Sequence, residues 1–339
     1  MSHTPAQQPL SGILNVDKPL EWTSHQAVAV VRRWSGQRRI GHAGTLDPLA
    51  TGVLLLCLGK ATRVSPYLMA STKVYRTTLR LGLETTTHDA EGEVVARREV
   101  NVDRQEVERA LARFLGQIDQ VPPAYSAVKR QGKRLYEYAR QGIEVEVAPR
   151  SVEIHDLVII DWAPPDLVLD VTCGPGTYVR SLARDLGQAL SCGASLVDLR
   201  RLQSGQFRVE RALSLLEIEA AYAGAGVEAG HAAARARVCA LIRAHLHPLD
   251  RAFAHLPALI LDAEGARRLT MGQEVEGEAE DGPRAGLVPA DGHSRTYEDA
   301  QIHHYARAYG PGEQFLALVA RREGTNRWRP RKVFAQPPA

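Results

Sequence analysis

The pattern of hydrophobic and polar positions predicts strands in the first half of the chain. In KVYRTTLRLG (73–82) every second residue from Tyr75 points to one face, as in a half-buried strand. GVLLLCLG (52–59) is short, apolar throughout and bounded by glycines, which is typical of a buried central strand. Three further strands are predicted from ILNVDKP (13–19), VEIHDLVII (152–160) and DLVLDVTC (166–173).

Helical spacing alternates with these strands. The apolar residues of SHQAVAVVRRWS (24–35) share one helical face, with Ser24 as the expected N-cap. Asp103 and Glu106 form a capping-box pattern that opens a second helix, and YVRSLARDLGQAL (178–190) forms a third after the turn GPGTY. Because strands and helices mix without a regular strand–helix–strand repeat, the sequence predicts an α+β domain.

The composition and the predicted secondary structure of the chain change after about residue 220. An alanine-rich segment predicts helix with a loose connection, and from about residue 256 short strands alternate with turns, as in a small β-barrel. We therefore expect a catalytic domain over 9–250 and a second domain over 256–339. Residues 296–314 fit neither pattern and are interpreted as an insertion.

Composition limits the location of the protein and its partners. A net charge of +3 over 339 residues means that a nucleic-acid partner must be bound by a local basic surface. The first ten residues lack the pattern of a signal peptide, and no apolar run approaches the roughly 18 residues of a membrane span. The four cysteines are scattered without a CxxC pair, which favours a reducing cytoplasm over a disulfide scaffold or zinc ribbon.

Asp47 is the leading candidate for a catalytic group. It lies in GHAGTLDPLATGVLLLCLGKATR (41–63), between glycine-rich turns and the apolar strand. Asp-Pro commonly starts a turn, so an ordinary turn is the structural alternative. Pro48, however, keeps Asp47 out of the α region and restricts the direction of its side chain. A carboxylate on a loop that leads into a buried strand is held rigidly, as preorganised catalysis requires.

Two other classes of site are excluded by their motif spacing. A phosphate-binding P-loop needs four residues between its glycines and a Ser or Thr after the Lys. Here six residues separate Gly52 from Gly59, and Ala61 follows Lys60. A zinc-dependent base deaminase needs H-x-E with P-C-x-x-C, and the sequence contains no such pair of motifs.

The loop around Asp47 closely resembles the signature loop of the TruB family of tRNA pseudouridine synthases. Five further segments resemble that family's other motifs, in the family's order and within about 13–215: LNVDKPLEWTSHQAV, KVYR, VPPAYSAVKRQGKRLYEYARQGIEVE, GTYVRSLARDLG and VDLRRLQSGQF. The resemblance implies isomerisation of uridine 55 in the tRNA T-loop to pseudouridine, with the target base flipped out. It also implies a mixed sheet flanked by helices, a PUA-like second domain, no cofactor or metal, and a monomer with no obligatory protein partner.

By this resemblance three residues carry the chemistry. Asp47 is the nucleophile, Arg180 is its ion-pair partner, and Tyr75 stacks on the target base and is a candidate proton acceptor. A carboxylate can attack covalently and depart again without metal or cofactor, and an arginine partner keeps it ionised and oriented. Without the resemblance, a core tyrosine and a surface arginine are the structural alternatives.

The resemblance also implies a set of substrate-binding residues. His42 occupies the space left by flipped T-loop bases, Leu199 lines the uracil pocket, and Lys18, Asp89 and Tyr178 lie near the site. A basic stretch interleaved with tyrosines predicts an RNA-clamping loop, although a basic run is more often a solvated face. Its members are Lys129, Arg130, Lys133 and Arg134.

One rival function uses the same scaffold. A non-catalytic RNA-binding or tRNA-folding protein would keep the fold without Asp47. Asp47 is present in this chain, which weakens that alternative.

Overall fold

The computed structural model describes residues 9–126, 128–130, 132–139, 141–143, 145–224, 230–280 and 305–335. Its helices are α1 (Ser24–Ser35), α2 (Ser65–Met69), α3 (Arg104–Leu111), α4 (Leu135–Ala139), α5 (Val179–Ala189), α6 (Leu215–Ala223), α7 (Gly230–Ala244) and α8 (Ala263–Thr270). Short 3-10 helices cover Gly59–Arg63, Ala112–Phe114, Val209–Arg211, Leu249–Phe253 and Pro311–Glu313.

The strands fall into two groups along the chain. Those of the larger part are β1 (Gly12–Lys18), β2 (Ile40–Ala43), β3 (Ala50–Leu58), β4 (Lys73–Leu81), β5 (Leu83–Thr85), β6 (Val94–Arg97), β7 (Gly116–Gln120), β8 (Lys129–Arg130), β9 (Lys133–Arg134), β10 (Arg150–Ala163), β11 (Asp166–Cys173), β12 (Ala194–Ser204), β13 (Phe207–Arg208), β14 (Leu213–Ser214) and β15 (Leu246–His247). Those of the smaller part are β16 (Ala258–Ile260), β17 (Val275–Glu276), β18 (Ala279–Glu280), β19 (Tyr305–Gly310), β20 (Gln314–Arg321) and β21 (Arg327–Val333).

An eleven-stranded sheet organises the larger part. Its main path runs β14-β1-β3-β12-β4-β11-β10-β7, and β2, β13 and β15 pair at its sides. Strand β12 is parallel to β3 and antiparallel to β4, so the sheet is mixed. Helices α1, α5 and α6 pack against it, and α7 packs on α1 and α6. The expected α+β class with a mixed sheet flanked by helices is confirmed.

The unbroken apolar run in β3 has a direct structural reason. Leu54 and Leu56 belong to one hydrophobic core, whereas Leu55 and Cys57 belong to a second core that includes Phe253. Alternate side chains of a strand point to opposite faces, so a strand covered on both faces must be apolar at every position. Strand β3 therefore carries the loop that precedes it on a rigid central element.

The expected N-cap of α1 is wrong by one residue. Thr23 is the cap, because its hydroxyl accepts the Gln26 N–H at 3.1 Å and the Gln26 side chain binds the Thr23 N–H. Ser24 instead begins the helix and is buried, and its hydroxyl binds both the N–H and the C=O of Leu46 at 2.8 and 3.1 Å. A long-range contact that the local pattern does not reveal therefore ties α1 to the residue before Asp47.

The smaller part forms a six-stranded sheet in the order β17-β21-β20-β19-β16-β18, with α8 packed against it. Strand β19 pairs with both β20 and β16, inside the sheet. The interpretation of 296–314 as an insertion is therefore wrong for Tyr305–Gly310, and residues 296–304 lie outside the described residues. A charged residue at a buried position, Arg307, interrupts the apolar pattern of β19 in the sequence. Its side chain is accommodated there by a hydrogen bond to the Leu256 carbonyl at 3.0 Å.

Aromatic rings join the two parts. The rings of Phe253, Phe315 and Phe334 lie 5.3–6.0 Å apart in the second core, on the face of β3 that carries Leu55. Arg63 adds a hydrogen bond to the Val333 carbonyl at 2.6 Å. The small domain therefore supports the back of the central strand.

No helix in the described part of the chain is long and apolar enough to span a membrane.

Candidate active site

The loop that carries Asp47 connects β2 to β3 and is fixed on both sides of this residue. Leu46 is bound by the Ser24 hydroxyl. The Pro48 carbonyl accepts hydrogen bonds from the Lys18 ammonium at 3.2 Å and from the Glu21 N–H at 2.9 Å. The Asp47 carboxylate therefore projects from a backbone with little freedom to move.

Arg180 lies in the first turn of α5 and is buried, with 4% of its surface exposed. Its Nη2 lies 2.9 Å from Oδ2 of Asp47, and its Nη1 lies 3.3 Å from Oδ2 of Asp89. Nη2 also donates to the Tyr125 carbonyl at 2.9 Å. The alternative of a surface arginine is thus wrong, since this guanidinium bridges two carboxylates inside the protein.

Asp89 is the more deeply buried of the two carboxylates. Its Oδ1 accepts hydrogen bonds from the Thr87 hydroxyl and from the Glu91 N–H. Its backbone forms a bridge to Leu196 in β12. With one oxygen bound by its own turn, the other is directed to Arg180, so Asp89 fixes the guanidinium from the side opposite Asp47.

The Asp47 carboxylate has an altered acidity. Burial raises the pKa of Asp47, the Arg180 charge opposes this shift, and the Asp89 charge adds to it. The physical reason is that removal from water penalises the charged form, whereas a neighbouring cation favours it. A carboxylate with a raised pKa is more basic than an exposed one, and the ion pair with Arg180 fixes its orientation.

Lys18 lies beneath the same loop and is fully buried at the end of β1. Its ammonium donates to the carbonyls of Pro19, Trp22 and Pro48. Burial lowers its pKa to about 8, against the attraction of the Asp47 charge. Lys18 is therefore placed near the carboxylate and holds the loop backbone.

Tyr75 and Leu199 line the adjoining strands. Tyr75 is buried on β4, and burial raises its pKa, with a smaller contribution from the Asp47 charge. Leu199 on β12 is paired with Ala50 at the start of β3 and with Thr77 on β4. Strand register thus brings both residues to the strands beside the Asp47 loop, and their roles toward the base stay predictions.

His42 and Tyr178 lie at the margins of this cluster. His42, on β2, is half-buried with its ring centre 5.2 Å from that of His25, and burial lowers its pKa. Its Nδ1 is buried without a hydrogen-bond partner among the described residues. Tyr178 immediately precedes α5 and is fixed by a hydrogen bond from its N–H to Gln120.

The four predicted basic residues form a separate element, a two-stranded hairpin in which Lys129 pairs with Arg134 and Arg130 with Lys133. The Lys133 ammonium is exposed and lies 5.9 Å from the centre of the Tyr138 ring. The side chains of the other three basic residues lie outside the described residues. The hairpin is compatible with the predicted RNA-clamping loop, and its contact with RNA stays a prediction.

Arg201 is a residue of the site that the sequence reading missed. It lies on β12 with 1% of its surface exposed and donates to the carbonyls of Gly44 and Val53. Its signal was available: two residues after Leu199 in a strand, it must share the face of Leu199. Arg200, on the other face, is half-exposed and pairs with Asp17 at 2.7 Å.

The loop before the central strand of the larger sheet carries the carboxylate that pairs with the arginine of α5. The mixed central sheet and the small second β domain define a pseudouridine synthase fold. A solved structure of a Cbf5-Nop10-Gar1 complex shares it with a TM-score of 0.66 and 25% identity, over 96% of this chain and 85% of that chain. This coverage extends the match to the PUA-like domain.

The sequence comparisons narrow the class to one family. The model of the TruB family pseudouridylate synthase N-terminal domain matches residues 32–179, and that of the tRNA pseudouridylate synthase B C-terminal domain matches 180–254. The chain belongs to the TruB family.

Two relatives illustrate the extent of the similarity. The tRNA pseudouridine synthase B of Thiobacillus denitrificans is 45% identical over 290 residues, which cover 85% of this chain and 91% of that protein. That of Dehalococcoides mccartyi is 40% identical over 326 residues, which cover 96% of this chain and 97% of that protein. The second alignment includes the small domain, which the two family models do not reach.

Proposed function

We propose that this protein isomerises uridine 55 in the T-loop of tRNA to pseudouridine and that Asp47 is the nucleophile. Membership of the family makes the chain a pseudouridine-forming isomerase that acts on tRNA. The observation that carries the assignment of Asp47 is its ion pair with the buried Arg180, on a loop pinned from both sides.

The reaction changes bonds without oxidation or reduction. The bond between C1′ of the ribose and N1 of uracil breaks, the uracil turns, and C1′ forms a bond to C5. The hydrogen on C5 leaves as a proton and N1 gains one, so the product is an isomer of the substrate. A carboxylate can add to C1′ or to the ring and leave again, and both routes are compatible with a fixed, desolvated Asp47.

The neighbours of Asp47 have separate roles in this proposal. Arg180 orients the carboxylate and keeps it ionised against the effect of burial. Tyr75 stacks on the flipped uracil and is placed to accept the C5 proton, and Leu199 packs against the base. Asp89 and Lys18 hold Arg180 and the loop.

Extraction of the base from a stacked tRNA elbow costs a few kcal/mol, which inserted side chains offset. His42 suits this role because its buried Nδ1 has no partner among the described residues and a buried polar atom normally has one. Tyr178 adds an aromatic surface nearby. The basic hairpin β8–β9 supplies charge for the T-arm phosphates.

The same proposal covers the organisation of the protein. Residues 9–250 form the catalytic domain and residues 256–339 the PUA-like RNA-binding domain. The protein acts as a cytoplasmic monomer on the T-arm and elbow of tRNA, and needs no cofactor, metal or obligatory protein partner. Its four cysteines are buried free thiols, which suits a reducing compartment.

The test maps pseudouridine in an unmodified tRNA transcript and in an isolated T-arm stem-loop after incubation with the protein. We expect modification of uridine 55 in both, because the matched loops address the elbow. A transcript with cytidine at position 55 is the control and should stay unmodified. Pseudouridine formed only in the anticodon arm would refute the assignment to position 55.

The rival function, a tRNA-folding protein without catalysis, gives a different result in the same experiment. It predicts tRNA binding with no pseudouridine at any position. The presence of the Asp47–Arg180 pair favours the catalytic function.

A further inference from the structure

Arg201 is an unusual residue for the interior of a protein. Burial of an arginine is costly, and its charge is normally balanced by a carboxylate. The guanidinium of Arg201 is instead bound by backbone carbonyls, through Nε to Val53 at 2.6 Å and through Nη2 to Gly44 at 3.1 Å. The ion pairs of the described residues do not include it. Such an arrangement needs a reason beyond stability.

The two carbonyls lie on opposite sides of Asp47 in the chain. Gly44 begins the loop after β2, and Val53 lies within β3 after the loop has ended. One planar guanidinium thus fixes the distance between both ends of the segment that carries the nucleophile. Lys18 and Ser24 bind the middle of the same segment, so Arg201 completes its support.

Strand register also places Arg201 beside Tyr75. The two residues are Cα partners between β12 and β4, and Arg201 is simultaneously the partner of Gly52 on β3. The approach to β3 is close, since a Cβ on Gly52 would lie 2.3 Å from the Arg201 carbonyl oxygen. Burial raises the pKa of Tyr75, and the charge of the neighbouring Arg201 opposes this shift.

We propose that Arg201 is a positioning residue of the reaction, which holds the Asp47 loop and the Tyr75 hydroxyl at a fixed separation. It donates to carbonyls at the two ends of the loop and is the cross-strand neighbour of the tyrosine, a geometry that no single apolar residue reproduces. The inference rests on the proposed function for the roles of Asp47 and Tyr75. Arg201 acts through these residues and does not touch the substrate.

The test uses Arg201→Lys and Arg201→Met in the full-length protein. Lysine keeps the charge but loses the planar fork, and methionine fills similar space without a charge. Methionine removes the buried charge but leaves the Val53 and Gly44 carbonyls without this donor, whereas lysine keeps an N–H donor, so Arg201→Lys is the variant expected to fold. Arg200→Lys and Arg200→Met are matched controls, because Arg200 is adjacent but lies on the other face of β12.

The assay measures single-turnover release of tritium from tRNA labelled at C5 of uridine, with enzyme in excess. Release at any position counts, so failure at uridine 55 alone would refute the proposed site and leave this test intact. We expect the rate constant to fall by about 10²-fold in Arg201→Met, the loss typical of a misplaced catalytic group, and by less in Arg201→Lys. The affinity for tRNA and the fraction of active enzyme should stay unchanged in the Arg201 variants. Both Arg200 control variants should keep the wild-type rate constant.

A double-mutant cycle with Tyr75→Phe separates positioning from simple destabilisation. If Arg201 acts through the Tyr75 hydroxyl, the effects of Arg201→Lys and Tyr75→Phe on the rate constant will not be additive. A purely structural Arg201 would lower the active fraction and the unfolding temperature but leave the rate constant of the folded enzyme unchanged. That result, strict additivity, or failure of both Arg201 variants to fold with wild-type tRNA affinity would each overturn the proposal.

Discussion

Nη2 of Arg180 lies 2.9 Å from Oδ2 of Asp47, and the other terminal nitrogen of the same guanidinium lies 3.3 Å from Asp89. The two carboxylates differ in exposure: the Asp47 side chain is 35% exposed, whereas that of Asp89 is 3% exposed. The half-buried, more accessible carboxylate of Asp47 is therefore available for chemistry, while the almost fully buried Asp89 anchors the arginine.

Asp47→Asn should abolish pseudouridine formation while folding and tRNA affinity persist. Asparagine keeps the shape of aspartate and suits the same turn, but it is neutral and a very poor nucleophile. Pseudouridine yield and tRNA affinity are measured on one preparation. Asp166→Asn is the control, since Asp166 forms a comparable pair with Arg80 on the exposed side of the sheet. A fully active Asp47→Asn enzyme would mean that Asp47 only shapes a turn.

Arg180→Met should destabilise the protein strongly. Removal of one partner of a buried ion pair leaves an uncompensated charge, here on Asp89, at a typical cost of roughly 3–5 kcal/mol in the free energy of unfolding. Urea unfolding measures this free energy. Arg76→Met removes the partner of Asp170 from an exposed pair and should cost at most about 1 kcal/mol. Equal losses in the two variants would show that the Arg180 bridge adds nothing to stability.

The rate of pseudouridine formation should fall on acidification at a pH above the ordinary aspartate value of 3.8. Only ionised Asp47 is a nucleophile, and its raised folded-state pKa moves the loss of the ionised form to higher pH. A carboxyl group whose pKa is raised in the folded state stabilises that state as the pH falls. The fall in rate at acid pH, the acid limb of the pH profile, is therefore not caused by unfolding linked to Asp47.

The measurement is the single-turnover rate constant against pH, with circular dichroism at each pH to confirm folding. Arg180→Lys should shift the pH at which the rate constant falls if lysine holds the carboxylate less closely. Asp166→Asn should leave that pH unchanged. A limb at or below pH 3.8 in the wild-type enzyme would contradict the burial of Asp47.

Arg329 and Arg331 should contribute to tRNA affinity and not to chemistry. Both are exposed on β21, in the basic tail segment RREGTNRWRPRK. Each Arg→Gln change should weaken tRNA binding and reduce the slope of log affinity against log salt by about 0.9 per lost phosphate contact. The single-turnover rate at saturating enzyme should stay unchanged.

Arg267→Gln on α8 is the control for these tail substitutions, because Arg267 is paired with Glu264 within its own helix. Substitution is a sharper test than deletion from residue 256, which would uncover Phe253 and the back of β3. A change in the rate constant with unaltered affinity would place the tail in catalysis and contradict the prediction.

The sequence by itself determined the elements and the candidate nucleophile. The glycine-bounded apolar run predicted β3, alternation predicted β4 and its inward Tyr75, and the Asp103–Glu106 capping box predicted the start of α3. These signals are local, because strand and helix periods and cap hydrogen bonds involve residues that are close in the chain. Resemblance then identified the family, and the role of Asp47 as nucleophile stays a proposal.

Tertiary structure decided which side chains meet. Ser24 looks like a helix cap in the sequence but binds Leu46, and β19 looks like an insertion but lies inside a sheet. Arg200 and Arg201 are neighbours of the same type, yet one reaches solvent and the other lies between the two ends of the Asp47 loop. The physical reason is that β12 aligns with both β3 and β4, and only this long-range register assigns the partners of each side chain.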